Sequence, residues 1–211
     1  MGACHLVGAG DFFGPLRLSE DDLIVAVDGG LDSLLKNGYR PDVLIGDMDS
    51  TVVNTPLPGV EIFRYKVEKD ETDMLLAYEY GKSRGYKEFF IYGGTGGRED
   101  HTFANYCLLL KAKNQGNKAT LVGNGTETIV IKNEKIEIFG NEGATVSVFA
   151  FGVSEASGVT IEGLKYTANN ITLSSDYPLG VSNSFRSSGR GAVAVGSGAL
   201  LIIKGGFPTV E

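Results

Sequence analysis

Short apolar runs alternate with helical patterns through the first part of the chain, and this alternation constrains the fold more than any other feature. A run such as Leu23 to Val27 suits a strand that is buried on both faces. Strands separated by helices form a mostly parallel sheet with helices on its faces. The runs predict strands at His5–Val7, Leu23–Val27, Val43–Ile45, Ile62–Phe63, Phe89–Tyr92 and Ala119–Val122.

Two segments between these runs have the apolar spacing of helices. The first is predicted over Glu71 to Arg84, after Asp70 as a possible N-cap and before Gly85 as a C-terminal stop signal. The second is predicted over His101 to Lys113. Its apolar side comprises Phe103, Ala104, Cys107, Leu108 and Leu110.

Beyond about Gly125 the helical patterns stop, and Gly, Ser, Thr and Val become frequent. This composition predicts an antiparallel β-sandwich or small barrel. We therefore expect an α/β domain over residues 1–124 and a β domain over residues 125–211. Strands of the second part are predicted at Thr128–Lys132, Lys135–Phe139, Thr145–Phe149 and, split at Gly196–Gly198, within Gly191–Lys204.

Composition limits the possible partners. The net charge of −7 argues against nucleic acid and anionic membranes, because both would be repelled. No apolar run approaches the roughly 20 residues of a membrane span.

Cys4 and Cys107 lie far apart, each in an apolar stretch, so both are predicted to be buried and unpaired. Nothing before Cys4 could serve as a secretory signal, so we expect a cytoplasmic protein.

The segment Gly46 to Ser50 places two carboxylates after an apolar strand. Asp47 and Asp49 are two residues apart, so in an extended segment they point to one side and could bind one divalent cation. The alternative is a solvated turn without metal. Asp73 lies at the start of the first long helix. It could join a metal or catalytic site, or it could have no function beyond a favourable interaction with the helix dipole.

Glycines follow two of the predicted strands. The stretch from Gly93 to His101 lies between a strand and a helix, where the backbone can approach a phosphate and the helix N-terminus offers free amides. Arg98 adds a guanidinium fork for phosphate oxygens. The alternative for this stretch is a flexible surface loop. Asp28, Gly29 and Gly30 repeat the pattern at another strand end, where the alternative is only a turn and the start of a helix. Neither stretch has the GxxxxGK[ST] or GxGxxG signature of common nucleotide sites.

Two other chemistries are not supported. His5 and His101 have no second His or Cys at zinc-ligand spacing. No GxSxG elbow surrounds a serine, so a serine hydrolase is not indicated.

In order along the chain, four motifs resemble those of the thiamine pyrophosphokinase family. They are DGG at 28–30, PDVLIGDMDS at 41–50, KDETDMLLA at 69–77 and GGTGGREDHTFAN at 93–105. The likeness continues more weakly through GLKY at 163–166, VSNSF at 181–185 and GSGALLII at 196–203.

The resemblance implies a Rossmann-like catalytic domain, a C-terminal β-sandwich that binds thiamine and forms the dimer, and a homodimer with active sites at the subunit interface. It implies transfer of the terminal pyrophosphoryl group of ATP to thiamine, with Mg²⁺ as cofactor. By motif, the catalytic residues would be Asp47, Asp49, Asp73 and Asp100, the first three of them as metal ligands. The nucleotide site would comprise Asp28, Gly29, Gly30, Gly94, Thr95, Gly97, Arg98 and His101.

The thiamine-binding residues implied by the resemblance are Tyr166, Ser182, Asn183 and Ser184. Tyr166 stands at the family's aromatic position, where it could stack on a cationic thiazolium or a flat aminopyrimidine. The family usually continues this segment with Pro-Leu, whereas Thr167 and Ala168 follow here. Two other activities remain open from the residues alone: a metal-dependent phosphohydrolase that uses water as acceptor, and a non-catalytic sensor of thiamine or its phosphates.

Overall fold

The computed structural model describes residues 2–46, 58–65 and 70–206. The chain forms two compact units, one of residues 1–108 and 116–123 and the other of residues 109–115 and 124–211. No helix in the described ranges is long and apolar enough to cross a membrane.

The first unit contains a parallel sheet. Its strands are β1 (Cys4–Val7), β2 (Leu23–Val27), β3 (Val43–Gly46), β4 (Glu61–Arg64), β5 (Glu88–Tyr92) and β6 (Lys118–Gly123). They lie in the order β6-β5-β1-β2-β3-β4, and every neighbouring pair is parallel. The strands β1, β2 and β3 are buried along their whole length, as the continuous apolar runs predict.

Three helices accompany this sheet: α1 (Gly30–Lys36), α2 (Asp73–Ser83) and α3 (Glu99–Asn114). The N-cap of α2 is Thr72, whose Oγ1 accepts a hydrogen bond from the Leu75 amide at 3.2 Å. Asp70 is therefore not the cap that the sequence allowed. Leu31 and Leu34 of α1 join a buried cluster with Val7 and Ile24 of the sheet.

One face of α3 differs from the sequence prediction. Phe103 is 61% exposed and Cys107 is also exposed, although both were assigned to a buried apolar side. Positions four apart share a helix face, so the two residues lie on one solvent-exposed stripe. Leu108 and Leu109 are buried instead. Cys4 is buried as predicted.

The second unit is built from antiparallel strands. They are β7 (Thr126–Lys132), β8 (Lys135–Phe139), β9 (Thr145–Ala150), β10 (Glu155–Glu162), β11 (Ala168–Ser174), β12 (Asn183–Ser184), β13 (Arg190–Ala194) and β14 (Ala199–Gly205). One set pairs in the order β12-β9-β14-β7 and the other in the order β11-β10-β13-β8.

A single apolar core joins the two sets of strands in this unit. It includes Val148 and Ile202 from the first set and Ile138, Ile161 and Val193 from the second. Two sheets that share one core form a sandwich. The α/β and β-sandwich architecture is thereby confirmed, while the functional division at residues 124 and 125 stays a prediction.

Candidate active site

A cavity of about 370 Å³ lies in the first unit, at the carboxyl ends of its parallel strands. Open parallel sheets usually bind ligands at this edge, because loops from neighbouring strands converge there. Its walls include seven residues that the sequence assigned to the site: Asp28, Asp73, Gly94, Thr95, Gly97, Arg98 and His101. The structure therefore brings predicted nucleotide and metal residues from three separate motifs to one place.

Two glycine-rich loops form one wall of this cavity. The loop after β1 is joined to the loop after β5 by backbone hydrogen bonds, from the Gly10 amide to the Gly93 carbonyl at 2.9 Å and from the Asp11 amide to the Thr95 carbonyl at 3.1 Å. Gly93 has a φ of +60°, and a Cβ there would overlap the Gly8 carbonyl oxygen. Only glycine permits so close a pairing of the two loops.

Asn105 of α3 holds the loop after β5 by a hydrogen bond. Its side chain is buried, and Nδ2 donates a hydrogen bond to the Gly94 carbonyl at 2.9 Å. A buried carbonyl needs such a partner, because an unsatisfied acceptor is costly away from water. The loop and the first turns of α3 therefore hold a fixed geometry at the cavity.

Gly97 contrasts with Gly93. A Cβ added at Gly97 meets none of the described atoms within 4 Å, although the residue lines the cavity. Protein packing alone therefore does not require glycine at this position. The missing side chain leaves open space at this point of the cavity wall.

Arg98 and Asp100 form an exposed two-point ion pair. Nε of Arg98 lies 3.1 Å from Oδ1 of Asp100, and Nη2 lies 2.5 Å from Oδ2. The hydrogen bonds from Arg98 lower the pKa of Asp100, and the pKa of Arg98 is raised in turn. Arg98 and His101 line the cavity, whereas Asp100 is not among the described residues that line it.

The acidic residues of the cavity come from the end of one strand and the start of one helix. Asp73 is the first residue of α2, and Asp28 follows β2 with a left-handed φ of 47°. A side chain on Gly46 would overlap the Asp28 carboxylate, so this carboxylate lies against the residue that precedes Asp47 in the sequence.

Carboxylate oxygens suit a hard cation such as Mg²⁺, and Asp28 and Asp73 face one cavity with this donor chemistry. Within the described ranges, no group of three or more His, Cys, Asp or Glu residues could hold a metal ion. Asp47 and Asp49 lie outside the described residues. The carboxylates present therefore fit part of a metal site.

Gly29 and Gly30 have a different setting from the other predicted nucleotide residues. Gly29 is the N-cap of α1, and Gly30 is buried at its first turn. A Cβ on Gly30 would overlap the Val7 carbonyl oxygen, so this glycine lets α1 pack closely on β1. Neither glycine is among the described residues that line the cavity.

The four predicted thiamine residues meet within the second unit. Tyr166 is 61% exposed, and Lys165 places its ammonium nitrogen 5.3 Å from the ring centroid. Asn183 is buried, and its side-chain amide bonds to the backbone of Tyr166. Ser182 has a φ of +60°, and the Ser184 carbonyl accepts a hydrogen bond from the Lys165 amide at 2.9 Å.

Several cavity residues had not been singled out from the sequence. They are Gly8, Ala9, Gly10, Thr72, Met74, Thr102, Ala104 and Asn105, together with Val27. A signal for the first three was present, because glycines directly follow the apolar run that forms β1. Asn105 is the last residue of the quoted motif at 93–105, but its hydrogen bond to the Gly94 carbonyl could not be predicted, since that contact depends on how α3 packs.

Comparison with known proteins agrees with the geometry. The family profile described as the thiamin pyrophosphokinase catalytic domain matches residues 15–121, and the profile described as its vitamin B1 binding domain matches residues 127–200. The thiamine pyrophosphokinase of Bacillus subtilis (strain 168) is 28% identical over 191 residues, which cover 88% of each chain.

Solved structures show the same likeness. The crystal structure of thiamine pyrophosphokinase from Bacillus subtilis has a TM-score of 0.88 at 26% identity and covers 97% of this chain and 99% of its own. That of thiamin pyrophosphokinase from Geobacillus thermodenitrificans has a TM-score of 0.85 at 27% identity and covers 97% of both chains. This chain belongs to the thiamin pyrophosphokinase family.

Proposed function

We propose that this chain transfers the terminal pyrophosphoryl group of ATP to the hydroxyethyl oxygen of thiamine, giving thiamine diphosphate and AMP. The observation that supports this best is the cavity of the first unit, where glycine loops, an arginine and carboxylates meet. Transfer of a pyrophosphoryl group to an alcohol requires positioning and charge neutralisation more than covalent catalysis. The cavity offers groups for both tasks.

The phosphates of ATP would bind at the loop that precedes α3. Thr95 and Gly97 line the cavity, and α3 begins two residues after Gly97, so the free amides of its first turn lie close to this loop. Arg98 supplies a positive fork that suits phosphate oxygens. His101, which also lines the cavity, adds a ring nitrogen as a hydrogen-bond partner.

Magnesium would be held by Asp47, Asp49 and Asp73, with Asp28 close to the start of the Asp47 segment. Bound Mg²⁺ would neutralise charge on the phosphate oxygens. Asp73 supports this assignment from the cavity wall, since carboxylates that face a phosphate site without a cation would repel the substrate.

Attack by the thiamine hydroxyl would form a bond from its oxygen to the β-phosphorus, while the bond from that phosphorus to the oxygen of the α-phosphate breaks. AMP would leave with that oxygen, and the hydroxyl proton would pass to solvent. Asp100 would orient the hydroxyl or complete the metal shell. Its pKa is lowered by Arg98, so it remains an ionised acceptor of hydrogen bonds and is a poor proton acceptor at neutral pH. Tyr166, Ser182, Asn183 and Ser184 would form the thiamine side of the site.

The functional unit would be a homodimer with active sites at the subunit interface. Large apolar side chains exposed on the second unit support this arrangement, notably Tyr177, Leu179 and Val181 in one segment. Contiguous exposed apolar surface is typical of interaction sites. Light scattering after size exclusion should give a dimer mass, and a fully active monomer would contradict the proposal.

The location of the protein would be the cytoplasm, because its two free cysteines fit a reducing compartment.

The test of the reaction is chromatography of AMP formed from ATP with Mg²⁺, with thiamine present and then omitted. Equal amounts of AMP and thiamine diphosphate, formed only with thiamine, are the expected result. AMP or phosphate release without thiamine would instead favour a phosphohydrolase. ATP binding without any turnover would favour a sensor.

The metal assignment has its own test. Asp73→Asn and Asp47→Asn should each reduce kcat by on the order of 10²-fold or more, because each removes a charged metal ligand. Asp21→Asn is a matched control, since Asp21 is exposed in the same unit and is not one of the described residues that line the cavity. Near-normal turnover by Asp47→Asn would remove it from the metal site.

A further inference from the structure

Two sequence segments that carry predicted thiamine residues are paired with each other in the second unit. Leu164 and Phe185 form an isolated antiparallel bridge, and the Lys165 amide donates to the Ser184 carbonyl at 2.9 Å. The segments 163–166 and 182–185 therefore form one small structural element. The two segments are thereby held in direct contact.

Asn183 makes the central contacts of this element. Its Nδ2 donates to the Tyr166 carbonyl at 2.6 Å, and its Oδ1 accepts from the Tyr166 amide at 2.9 Å. The same Oδ1 also accepts a bond from the Ser184 amide at 2.9 Å, which is the third hydrogen bond of this side chain. The side chain thus binds Tyr166 as a neighbouring strand would, through both backbone polar groups of one residue.

The burial of the two residues differs in a way that separates their roles. Asn183 is 6% exposed, and both lone-pair positions of its Oδ1 are used by backbone amides. The ring of Tyr166 remains open to solvent on the same element. Asn183 is thereby suited to hold Tyr166, and Tyr166 is suited to contact a ligand.

The backbone around Asn183 shows why the side chain points to Tyr166. Ser182 adopts a left-handed φ of +60°, which is uncommon outside glycine, and its amide donates to Ser147 Oγ at 3.1 Å. Asn183 then pairs with Val146 in the short strand pairing of β12 with β9. Such a local conformation persists only where the surroundings enforce it, and it often marks a functional site.

The face of Tyr166 has a defined electrostatic environment. Lys165 places its ammonium 5.3 Å from the ring centroid. A cationic ring would therefore avoid that side and stack on the opposite face, where the attraction of the aromatic quadrupole is available. A fixed backbone reduces the ordering cost of this stacking.

We propose that Asn183 is a positioning residue that holds the Tyr166 backbone so that the phenol ring offers one free face to the planar cationic part of the alcohol substrate. Asn183 acts through Tyr166 and does not itself touch that substrate. This inference rests on the proposed function for the identity of the substrate. The structural half of the proposal is that Asn183 positions Tyr166. This half can be tested whether or not the protein has enzymatic activity.

The structural half is tested by placing a fluorotyrosine at position 166 and recording ¹⁹F spectra of the free full-length protein. With Asn183 intact we expect one narrow resonance, and Asn183→Ala should broaden or split it. Asn169→Ala is the matched control, because Asn169 is exposed in the same unit. An unchanged resonance in folded Asn183→Ala protein would overturn the proposal, even if the chain proved to have no kinase activity.

The substrate half is tested by a double-variant cycle on the KM for thiamine. Tyr166→Ala and Asn183→Ala should each raise this KM by on the order of 10-fold and leave the KM for ATP unchanged. Asn183→Ala should add less than about 2-fold in the Tyr166→Ala background, as expected when both act through one contact. A full additional effect would show that Asn183 contacts the substrate directly and would contradict the proposal.

Asn183→Asp serves where Asn183→Ala does not fold. It preserves the shape and the Oδ1 acceptor but replaces the Nδ2 donor that faces the Tyr166 carbonyl, so it should raise the thiamine KM in the same direction. A thiamine KM equal to that of the unsubstituted protein in folded Asn183→Asp would count against the proposal. If the unsubstituted protein makes no thiamine diphosphate, the proposed function fails, and the ¹⁹F experiment still decides the role of Asn183.

Discussion

Arg98 and Asp100 are joined at two points, with Nε to Oδ1 at 3.1 Å and Nη2 to Oδ2 at 2.5 Å. This pairing sets the direction of the guanidinium at the start of α3. Asp100 also accepts a hydrogen bond from the His101 amide at 2.9 Å, so it links the arginine to the helix N-terminus. Asp100 can therefore contribute to ATP binding by orienting Arg98, in addition to any contact with the attacking hydroxyl.

Asp100→Asn should raise the KM for ATP, because the neutral amide no longer holds Arg98 by two charge-assisted bonds. Arg98→Lys should do the same, since lysine cannot form the planar fork. If Asp100 acts only through Arg98, the double variant should equal the more severe single one in kcat and in both KM values. A further loss in kcat of on the order of 10²-fold from Asp100→Asn in the Arg98→Lys background would instead show direct participation in the reaction.

Gly97→Ala and Gly93→Ala form a matched pair within one loop. The Cβ of Gly97→Ala meets none of the described protein atoms within 4 Å, so stability should change by less than about 0.5 kcal/mol while the KM for ATP rises. Gly93 has a φ of +60° and no space beside Gly8, so Gly93→Ala should lower stability by about 1–3 kcal/mol. Thermal melts and ATP titrations compare the two. An unchanged ATP KM for Gly97→Ala would show that the ligand does not approach this position.

Asn105→Ala should weaken ATP binding, because the Gly94 carbonyl loses its buried donor and the loop is no longer fixed. The lost bond should also cost about 1–3 kcal/mol of stability. Asn117→Ala is the control, since Asn117 is equally buried and donates to the Tyr78 hydroxyl at 2.8 Å, and it is not one of the described cavity residues. Calorimetry with a non-hydrolysable ATP analogue should show weaker binding for the first variant only. Equal affinities for both variants would contradict the role of Asn105.

The periodic parts of this fold could be predicted from the sequence because they are strongly apolar. The strand Leu23–Val27 and the strand Lys135–Phe139 have the predicted bounds, and both consist of residues that favour buried or alternating strands. A helix start after Asp28 was one of the two sequence interpretations, and it is confirmed by α1, but the extent of this helix was not predicted, since seven residues carry too little periodicity. The strand Glu155–Glu162 was missed because bulges interrupt its pairing with Ala168–Ser174 and its apolar pattern is irregular.

The candidate site was predictable where residue type alone carries the chemistry. Arg98 and the glycines after β5 reach the cavity as their positions after a strand end imply, and Asp73 reaches it from the start of α2. The hydrogen bonds between Asn183 and Tyr166, 17 residues apart, were not predictable, because the resemblance groups the two residues in one site without showing that one side chain binds the backbone of the other. Exposure of Cys107 was missed for a similar reason, since an apolar stretch does not show which side of a helix is covered.

His5 and Asp22 predict how stability depends on pH. His5 is fully buried, and its Nε2 lies 2.9 Å from Oδ2 of Asp22. Burial lowers the pKa of His5, while the hydrogen bond and charge of Asp22 oppose this shift. In the described part of the chain the buried Nδ1 has no partner, so a second proton there would have no acceptor. Burial alone would raise the pKa of Asp22, but bonds from the Ser19 and Ala3 amides and from His5 outweigh it and lower that pKa.

Both shifts have the same sign for stability. As pH falls below the unfolded-state pKa of histidine, about 6.5, the unfolded chain takes up a proton that native His5 resists, so the free energy of unfolding decreases. Near pH 4 the unfolded Asp22 is also protonated before the native one, and the free energy decreases further. Above about pH 7 neither group contributes a slope. Urea titrations between pH 8 and pH 4 should therefore show stability constant at the alkaline end and declining toward acid.

The two histidines of the chain allow this slope to be assigned. His101→Gln should keep the decline between pH 7 and pH 5, because His101 is exposed. His5→Phe should remove it, since phenylalanine preserves the stacking on Phe90, whose ring centroid lies 5.3 Å away, and cannot titrate. Asp22→Asn should cost about 1–3 kcal/mol at pH 7, because the Ala3 and Ser19 amides lose a charged acceptor. A decline of equal slope in His5→Phe would place the titrating group elsewhere in the protein.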